Sequence, residues 1–272
     1  MTRSILFLFL AREWADTRRN SRVLPLYFVM PLVAVALPVL LAIMAPSIVR
    51  DLQRSAEPST VAMVENLARL TEYRGVPPGE VLARYILRAT VGMFLLMPIA
   101  IASTVAAFSI VGEKQQRTLE PILATPITDR QLLLGKLLAS AGPTVAATWA
   151  AGAVAILIVD LLFAARGLTP PLPDRYWSVV LLVLVPALTA AVSLVTMRLS
   201  ARSSDPQATI QISALAVLPI FLFLVAVFGR ALLRSFPTVL GACVLVMLVD
   251  IALFRMNVVR FRREEILTRW KS

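Results

Sequence analysis

Histidine is missing from this sequence of 272 residues, and cysteine occurs once, as Cys243. Without histidine the chain lacks the commonest metal ligand and the commonest general base. Intramembrane metalloproteases need a His-Glu-x-x-His pattern and serine hydrolases usually need a histidine base, so the sequence argues against both classes. A single cysteine cannot form an intrachain disulfide, and its apolar surroundings favour a small buried side chain. We expect no catalytic residue and no metal site in this chain.

Charged residues are also scarce, at 16% of the chain, whereas 58% of the residues are hydrophobic. A soluble domain is roughly 45–50% apolar, so the excess predicts burial in lipid. The net charge is nevertheless +11. With this hydropathy, basic charge indicates the anionic cytoplasmic face of a membrane and not nucleic acid. The composition therefore predicts an integral membrane protein.

Six runs with at most one charged residue are long enough to cross a bilayer, which needs about 20 apolar residues in a helix. Lipid offers the backbone no hydrogen-bond partners, so each run should be helical. The sequence therefore predicts an all-α membrane protein, with one transmembrane domain over residues 1–272. The six spans are expected at about residues 24-46, 88-110, 138-162, 177-197, 208-229 and 236-255.

Most of these runs contain proline, which removes a helical hydrogen bond and kinks the helix. Two interpretations are open. The prolines either bend the helices to fit their packing, or make them flexible enough to open and close a path. Prolines of this kind include Pro31, Pro38, Pro98, Pro143, Pro186, Pro219 and Pro237.

The distribution of basic residues indicates the orientation. With both termini inside, the cytoplasmic segments hold 17 Lys and Arg residues and the outer segments hold 10. The positive-inside rule therefore predicts cytoplasmic termini in a cytoplasmic or inner cell membrane. Residues 1–22 should form an amphipathic helix along the membrane surface, and residues 50–88 a small external cap. Four arginines that flank span ends should reach toward headgroups, namely Arg166, Arg175, Arg230 and Arg234.

The loop between the second and third spans, residues 112–136, mixes apolar and charged side chains. The pair Thr125-Pro126 breaks the chain direction, and Thr128 followed by Gln131 fits a capping box that starts a new helix. The loop is therefore predicted to be a helical hairpin that projects from the membrane. Such a tip suits docking on a soluble partner, although an ordinary solvated loop would look similar.

Four short motifs follow one another in this loop: Gly112-Glu-Lys, Arg117-Thr-Leu-Glu, Thr125-Pro-Ile-Thr and Leu133-Leu-Gly-Lys. Their order resembles the type 2 ABC exporter permeases, in which this loop is the coupling helix that contacts the ATP-binding subunit. In that family an amphipathic helix precedes the first of six spans. The resemblance implies contacts with the ATP-binding subunit for Glu113, Lys114, Arg117, Thr118, Leu119 and Glu120, a turn at Thr125 and Pro126, and close packing of the returning helix at Gly135 and Lys136.

The chain departs from the family pattern in two places. Many members have glycine where this chain has Arg117. Many also have a re-entrant segment between the last two spans, and Arg230–Phe236 is too short for a large one. The extracellular gate of those relatives is therefore not transferred to this chain.

No phosphate-binding loop occurs in the chain, because the glycine-lysine pairs at 112–114 and 135–136 lack the Walker A spacing. ATP hydrolysis would belong to a separate chain that binds ATP and Mg, and no cofactor is expected here. The resemblance implies two copies of an ABC-type ATP-binding subunit, a second permease copy or a related permease, and export as the direction. Membrane lipid is the other expected partner.

Two acids lie in or near the apolar runs, Asp160 toward the outer end of the third span and Asp250 within the sixth. An ionisable side chain in a membrane is costly and marks a candidate functional site. Asp160 could instead meet water, and Asp250 could pair with an arginine. If either carboxylate lined a transport path, it could bind a cation or an amine.

Other functions stay open. A secondary, ion-coupled transporter would be expected to show internal repeats and facing broken helices, and no convincing repeat is visible. A membrane scaffold without an ATPase partner would not need the motifs at 112–136 that resemble a coupling loop. A phosphatidyl-transfer enzyme would need a cluster of acidic metal ligands, and the acids of this chain are scattered.

Overall fold

The computed structural model describes residues 23–55, 78–115, 128–200, 205–234 and 236–260, with isolated positions at 11–21, 62, 65 and 76. Every regular element within these residues is a helix, and six helical segments are long and apolar enough to cross a membrane. The prediction of an all-α, six-span membrane protein is therefore confirmed. Most of the expected interfacial helix at 1–22 and much of the expected cap at 50–88 lie outside the described residues.

The helices follow one another with short connections. In chain order they are α1 (Leu26–Ser55), α2 (Pro78–Phe94), α3 (Leu96–Gln115), α4 (Asp129–Ala164), α5 (Arg175–Val179), a π-helical segment (Val180–Leu184), α6 (Val185–Ser200), α7 (Pro206–Arg234) and α8 (Phe236–Arg260). The second span combines α2 and α3, and the fourth combines α5, the π segment and α6.

Proline explains where the second span is interrupted. Pro98 has no N–H to donate to the carbonyl of Phe94, and its ring crowds that carbonyl. The helix breaks between these two residues, at Leu95, and resumes as α3. The turn at Leu95 is closed by a hydrogen bond from its N–H to the carbonyl of Gly92, 3.3 Å away.

The second and fourth spans form the centre of the bundle. In their most apolar stretches 67% and 61% of the positions are buried, against 28% or less in the other four spans. Helix α6 packs against α3, α4, α7 and α8, whereas α1 packs on α2 and α4 at one side. The apolar surface of the outer four spans therefore has to be covered by lipid or by another chain.

Small and polar residues line the buried face of α4. Thr144 and Thr148 donate their hydroxyls to carbonyls of their own helix, 2.8 Å away in both cases. Gly152 lies against the fourth span, where an added Cβ would come within 2.9 Å of a Leu181 methyl group. Such residues allow membrane helices to approach closely without leaving polar groups unsatisfied.

Candidate functional site

The end of the bundle that carries the loop at 112–136, here called the hairpin end, is formed by α3 and α4. Helix α3 continues to Gln115, so Glu113 and Lys114 lie in its last turn. The other predicted contact residues, Arg117, Thr118, Leu119, Glu120, Thr125 and Pro126, lie outside the described residues. Their contact with an ATP-binding subunit stays a prediction.

The start of α4 is fixed by the side chains that the sequence indicated. The N–H of Gln131 donates to Thr128 Oγ1 at 3.3 Å, and the N–H of Thr128 donates to Gln131 Oε1 at 3.0 Å. The predicted capping box is confirmed. It satisfies two backbone donors at the helix start and sets the direction in which the chain returns to the bundle.

Lys136 joins the two helices of the hairpin near its base. The side chain is 2% exposed, and Nζ donates to the carbonyl of Ser109 at 3.1 Å and to its hydroxyl at 3.2 Å. The neighbouring Gly135 is also buried. A buried ammonium needs hydrogen bonds to offset its lost hydration, so Lys136 holds α4 to α3.

A small apolar cluster surrounds this junction and is separate from the main core. It contains Ala106 and Ile110 of α3, Leu133 of α4 and Met197 of α6, and Leu137, Phe254 and Val258 pack against it. We call these residues the hairpin-base cluster. The cluster places the C-terminal ends of α6 and α8 in contact with the base of the hairpin.

A polar contact reinforces the same end of the bundle. Asn257 is buried in α8, and its Nδ2 donates to the carbonyl of Leu194 in α6 at 3.0 Å. The base of the hairpin is therefore held by contacts with α6 and α8 as well as by α3 and α4. Any displacement of its base would be passed to α6 and α8, because close-packed side chains transmit strain.

At the opposite end, here called the far end, arginines connect the elements. Arg88 of α2 is 6% exposed and forms a salt bridge with Asp174. Asp174 also accepts the N–H of Trp177 at 2.9 Å and so caps α5. The Arg88 guanidinium lies over the ring of Tyr176, 4.5 Å from its centre. The sequence gave no indication of this pair, because Arg88 and Asp174 are 86 residues apart.

Two of the arginines expected to reach headgroups have other contacts in the structure. Arg166 donates from Nη1 to the carbonyl of Ala42 in α1 at 2.8 Å. Arg175 lies over the rings of Tyr176 and Phe236, which tie α5 to the start of α8. The spacing of charges along the sequence gave no signal for Ala42 or Phe236 as partners, because both come from distant segments.

The two acids that the sequence singled out lie on different helices, Asp160 on α4 and Asp250 on α8. Asp160 accepts the backbone N–H of Leu172 at 3.1 Å, so it stabilises the connection that follows α4. Asp250 is half-buried in α8, and its Oδ1 has no hydrogen-bond partner among the described residues. Within the described part of the chain neither carboxylate is in a salt bridge.

These features define a class: a helical, multi-pass membrane protein in which a buried contact between Lys136 and Ser109 joins the two helices that flank the loop at 112–136. A model of the ABC-2 family transporter proteins matches residues 76–248, more than half of the chain, and the chain belongs to that family. It is a permease subunit of an ABC transporter, a membrane subunit without catalytic activity of its own, and the family implies an ATP-binding subunit as partner. No curated protein matches the chain.

Proposed function

We propose that this permease subunit works in an exporter, with the hairpin at 112–136 docked on a separate ATP-binding subunit. Two permease copies, or this chain and a related permease, would form the path together with two ATP-binding subunits. ATP and Mg would bind in those partner subunits. The membership of the family and the hairpin motifs support this assignment.

The junction at Lys136 is the observation that carries the proposal. A loop that only connected two spans would not need a buried ammonium bonded to Ser109 and a cluster shared with α6 and α8. Closure of the ATP-binding subunits would push the hairpin, and the hairpin-base cluster would pass the movement to the central helix α6. ATP can drive such a change only through its different affinity for the two states.

The proposed orientation has both termini and the hairpin in the cytoplasm, in a cytoplasmic or inner cell membrane. The excess of basic residues on that side supports it. Cysteines placed at exposed Arg130 and Ala165 in a Cys243→Ala background would test it. In right-side-out vesicles an impermeant thiol reagent should label Ala165→Cys and spare Arg130→Cys. The reverse pattern would place the hairpin outside and contradict the proposal.

Docking is tested with the complex itself. Permease carrying an affinity tag should bring down a chain with a phosphate-binding loop, and Glu113→Lys or Arg117→Glu should weaken that association without reducing membrane insertion. Arg54→Glu is the matched control, because Arg54 is exposed near the end of α1, away from the hairpin. Equal association in all three variants would remove the assigned docking role.

Dependence on ATP separates this function from the alternative of an ion-coupled transporter. Vesicles that contain the permease and its ATP-binding subunit should accumulate cargo only with Mg-ATP. Transport by the permease alone, driven by a proton or sodium gradient, would favour the secondary transporter.

A further inference from the structure

The fourth span contains a weak point in its backbone ladder. In the π segment, the N–H of Val185 bonds to the carbonyl of Val180, five residues back. The next residue is Pro186, which has no N–H. The carbonyl of Leu181 therefore loses its donor in the α register, Val185, and also its donor in the π register, Pro186.

Trp149 of α4 supplies the missing donor. Its indole Nε1 donates to the carbonyl of Leu181 at 2.6 Å. A buried carbonyl left without a donor is costly, and in a membrane no water is present to replace the bond. The hydrogen bond therefore fixes one turn of α4 to the point where the fourth span is least supported by its own backbone.

The same turn of α4 also lies close to the π segment by packing. Gly152, three residues after Trp149, faces the Leu181 side chain at a distance that leaves no room for a larger residue without a shift. Residues 149 and 152 lie on neighbouring positions of one helix face. Backbone and side chain of Leu181 are thus both held by α4.

Helix α4 connects this contact directly to the hairpin. It runs as one helix from Asp129 to Ala164, with Pro143 inside it. Trp149 lies 20 residues from its start, about 30 Å along the helix at 1.5 Å per residue. A displacement at the hairpin would therefore reach the π segment through one helix.

We propose that Trp149 is a positioning residue that holds α4 against a hinge at the π segment, so that movement of α4 bends α6 relative to α5. This inference rests on the proposed function, since it takes the hairpin as the point where the ATP-binding subunit acts. The π segment is the natural hinge, because its ladder is already interrupted by Pro186. The sequence marked Pro186 as one of several prolines and gave no sign of Trp149 as its counterpart.

The test measures a distance and needs no knowledge of the cargo. Spin labels are placed at Leu161, exposed in the outer half of α4, and at Arg198, at the end of α6, in a Cys243→Ala background. The permease is purified with its ATP-binding subunit, and the label distance is measured with and without Mg-ATP. In the parent protein we expect a nucleotide-dependent shift, and in Trp149→Phe we expect that shift to be lost.

Trp177→Phe is the matched control. It removes the same indole N–H, but the Nε1 of Trp177 has no hydrogen-bond partner among the described residues. The nucleotide-dependent shift should therefore persist in Trp177→Phe. Loss of the shift in both variants, or its persistence in Trp149→Phe, would overturn the role of Trp149.

A second variant tests the hinge even if Trp149→Phe does not fold. Pro186→Ala returns a backbone N–H to the fourth span, so the segment can satisfy its own carbonyls and should bend less with nucleotide. Adding Trp149→Phe to Pro186→Ala should cause no further loss. An undiminished shift in Pro186→Ala, or no shift in a parent that binds its ATP-binding subunit, would overturn the hinge. Failure of the parent to bind that subunit would instead overturn the proposed function.

Discussion

Arg166 completes a hydrogen bond that Pro46 removes from α1. In a continuous helix the carbonyl of Ala42 would accept the N–H of residue 46, and proline has none. Arg166, just after the end of α4, donates to that carbonyl from Nη1 at 2.8 Å. Its Nη2 lies 3.4 Å from the carbonyl of Ile43. A side chain that follows the third span therefore supplies a donor to the backbone of the first.

This relationship predicts a dependence between two substitutions. Arg166→Met should lower the free energy of unfolding by about 1 kcal/mol, the usual net contribution of one hydrogen bond. Pro46→Ala supplies the absent N–H, so Arg166→Met should cost less in that background. Denaturation of the four detergent-purified proteins gives the double-mutant cycle. Equal losses in the parent and in the Pro46→Ala background would show that the two positions act independently.

The salt bridge at the far end predicts a larger loss. Asp174→Asn keeps an oxygen that can cap α5 but leaves the buried Arg88 without its carboxylate partner. We expect the free energy of unfolding to fall by about 2 kcal/mol, within the range for hydrogen bonds to charged groups.

Glu80→Gln provides the comparison at the same end. Glu80 pairs with Arg84 across one helical turn, and both side chains keep partial contact with solvent. Such pairs contribute roughly 0.3–0.5 kcal/mol. If thermal denaturation shows Asp174→Asn and Glu80→Gln to be equally stable, burial of Arg88 does not strengthen its salt bridge with Asp174.

Lys136 should contribute both to the stability of the permease and to its coupling with ATP hydrolysis. Lys136→Met keeps an apolar stem of similar length but removes the ammonium that bonds to Ser109. The expected loss is about 1.5–3 kcal/mol, as for other charged hydrogen bonds. Assembly with the permease should also change the ATPase activity of the ATP-binding subunit less than it does with the parent protein. Arg54→Met, a change at an exposed residue near the end of α1 and away from the hairpin, should leave both measurements unchanged.

The capping box at the start of α4 gives a prediction about the hairpin itself. Thr128→Ala removes the oxygen that accepts the N–H of Gln131 and should destabilise the protein by about 1 kcal/mol. Thr128→Ser retains that oxygen and should be near neutral. Because the cap holds only the first turn, amide exchange should rise most near Asp129. Equal exchange in the alanine and serine variants would show that the cap is dispensable.

Much of the fold could be predicted because lipid imposes a strong constraint. A helix that crosses a membrane must be long and apolar, so the six spans are visible in the order of the residues. The capping box was equally visible, because Thr128 and Gln131 are three residues apart. The motifs at 112–136 indicated the family, which the match over residues 76–248 confirmed.

The contacts between helices inside the bundle could not be predicted from local sequence patterns. A proline inside a helix, such as Pro46 or Pro186, leaves a carbonyl without its helical donor, but the sequence does not indicate which side chain replaces that donor. Arg166 lies 124 residues from Ala42, and Trp149 lies 32 residues from Leu181. Six apolar helices of similar length can pack in many arrangements. Hydropathy does not distinguish between these arrangements, so it does not predict which helices are neighbours.

The sequence by itself determined that this chain has six helices able to cross a membrane, that one of them begins after Thr128, and which family the chain belongs to. Those properties follow from local spacing and from the cost of leaving backbone groups unsatisfied in lipid. Only the tertiary structure decided that α6 is the central helix, that Lys136 is buried against Ser109, and that α4 supplies Trp149 to the interrupted fourth span. These pairings depend on shape complementarity between distant segments, which no local pattern records.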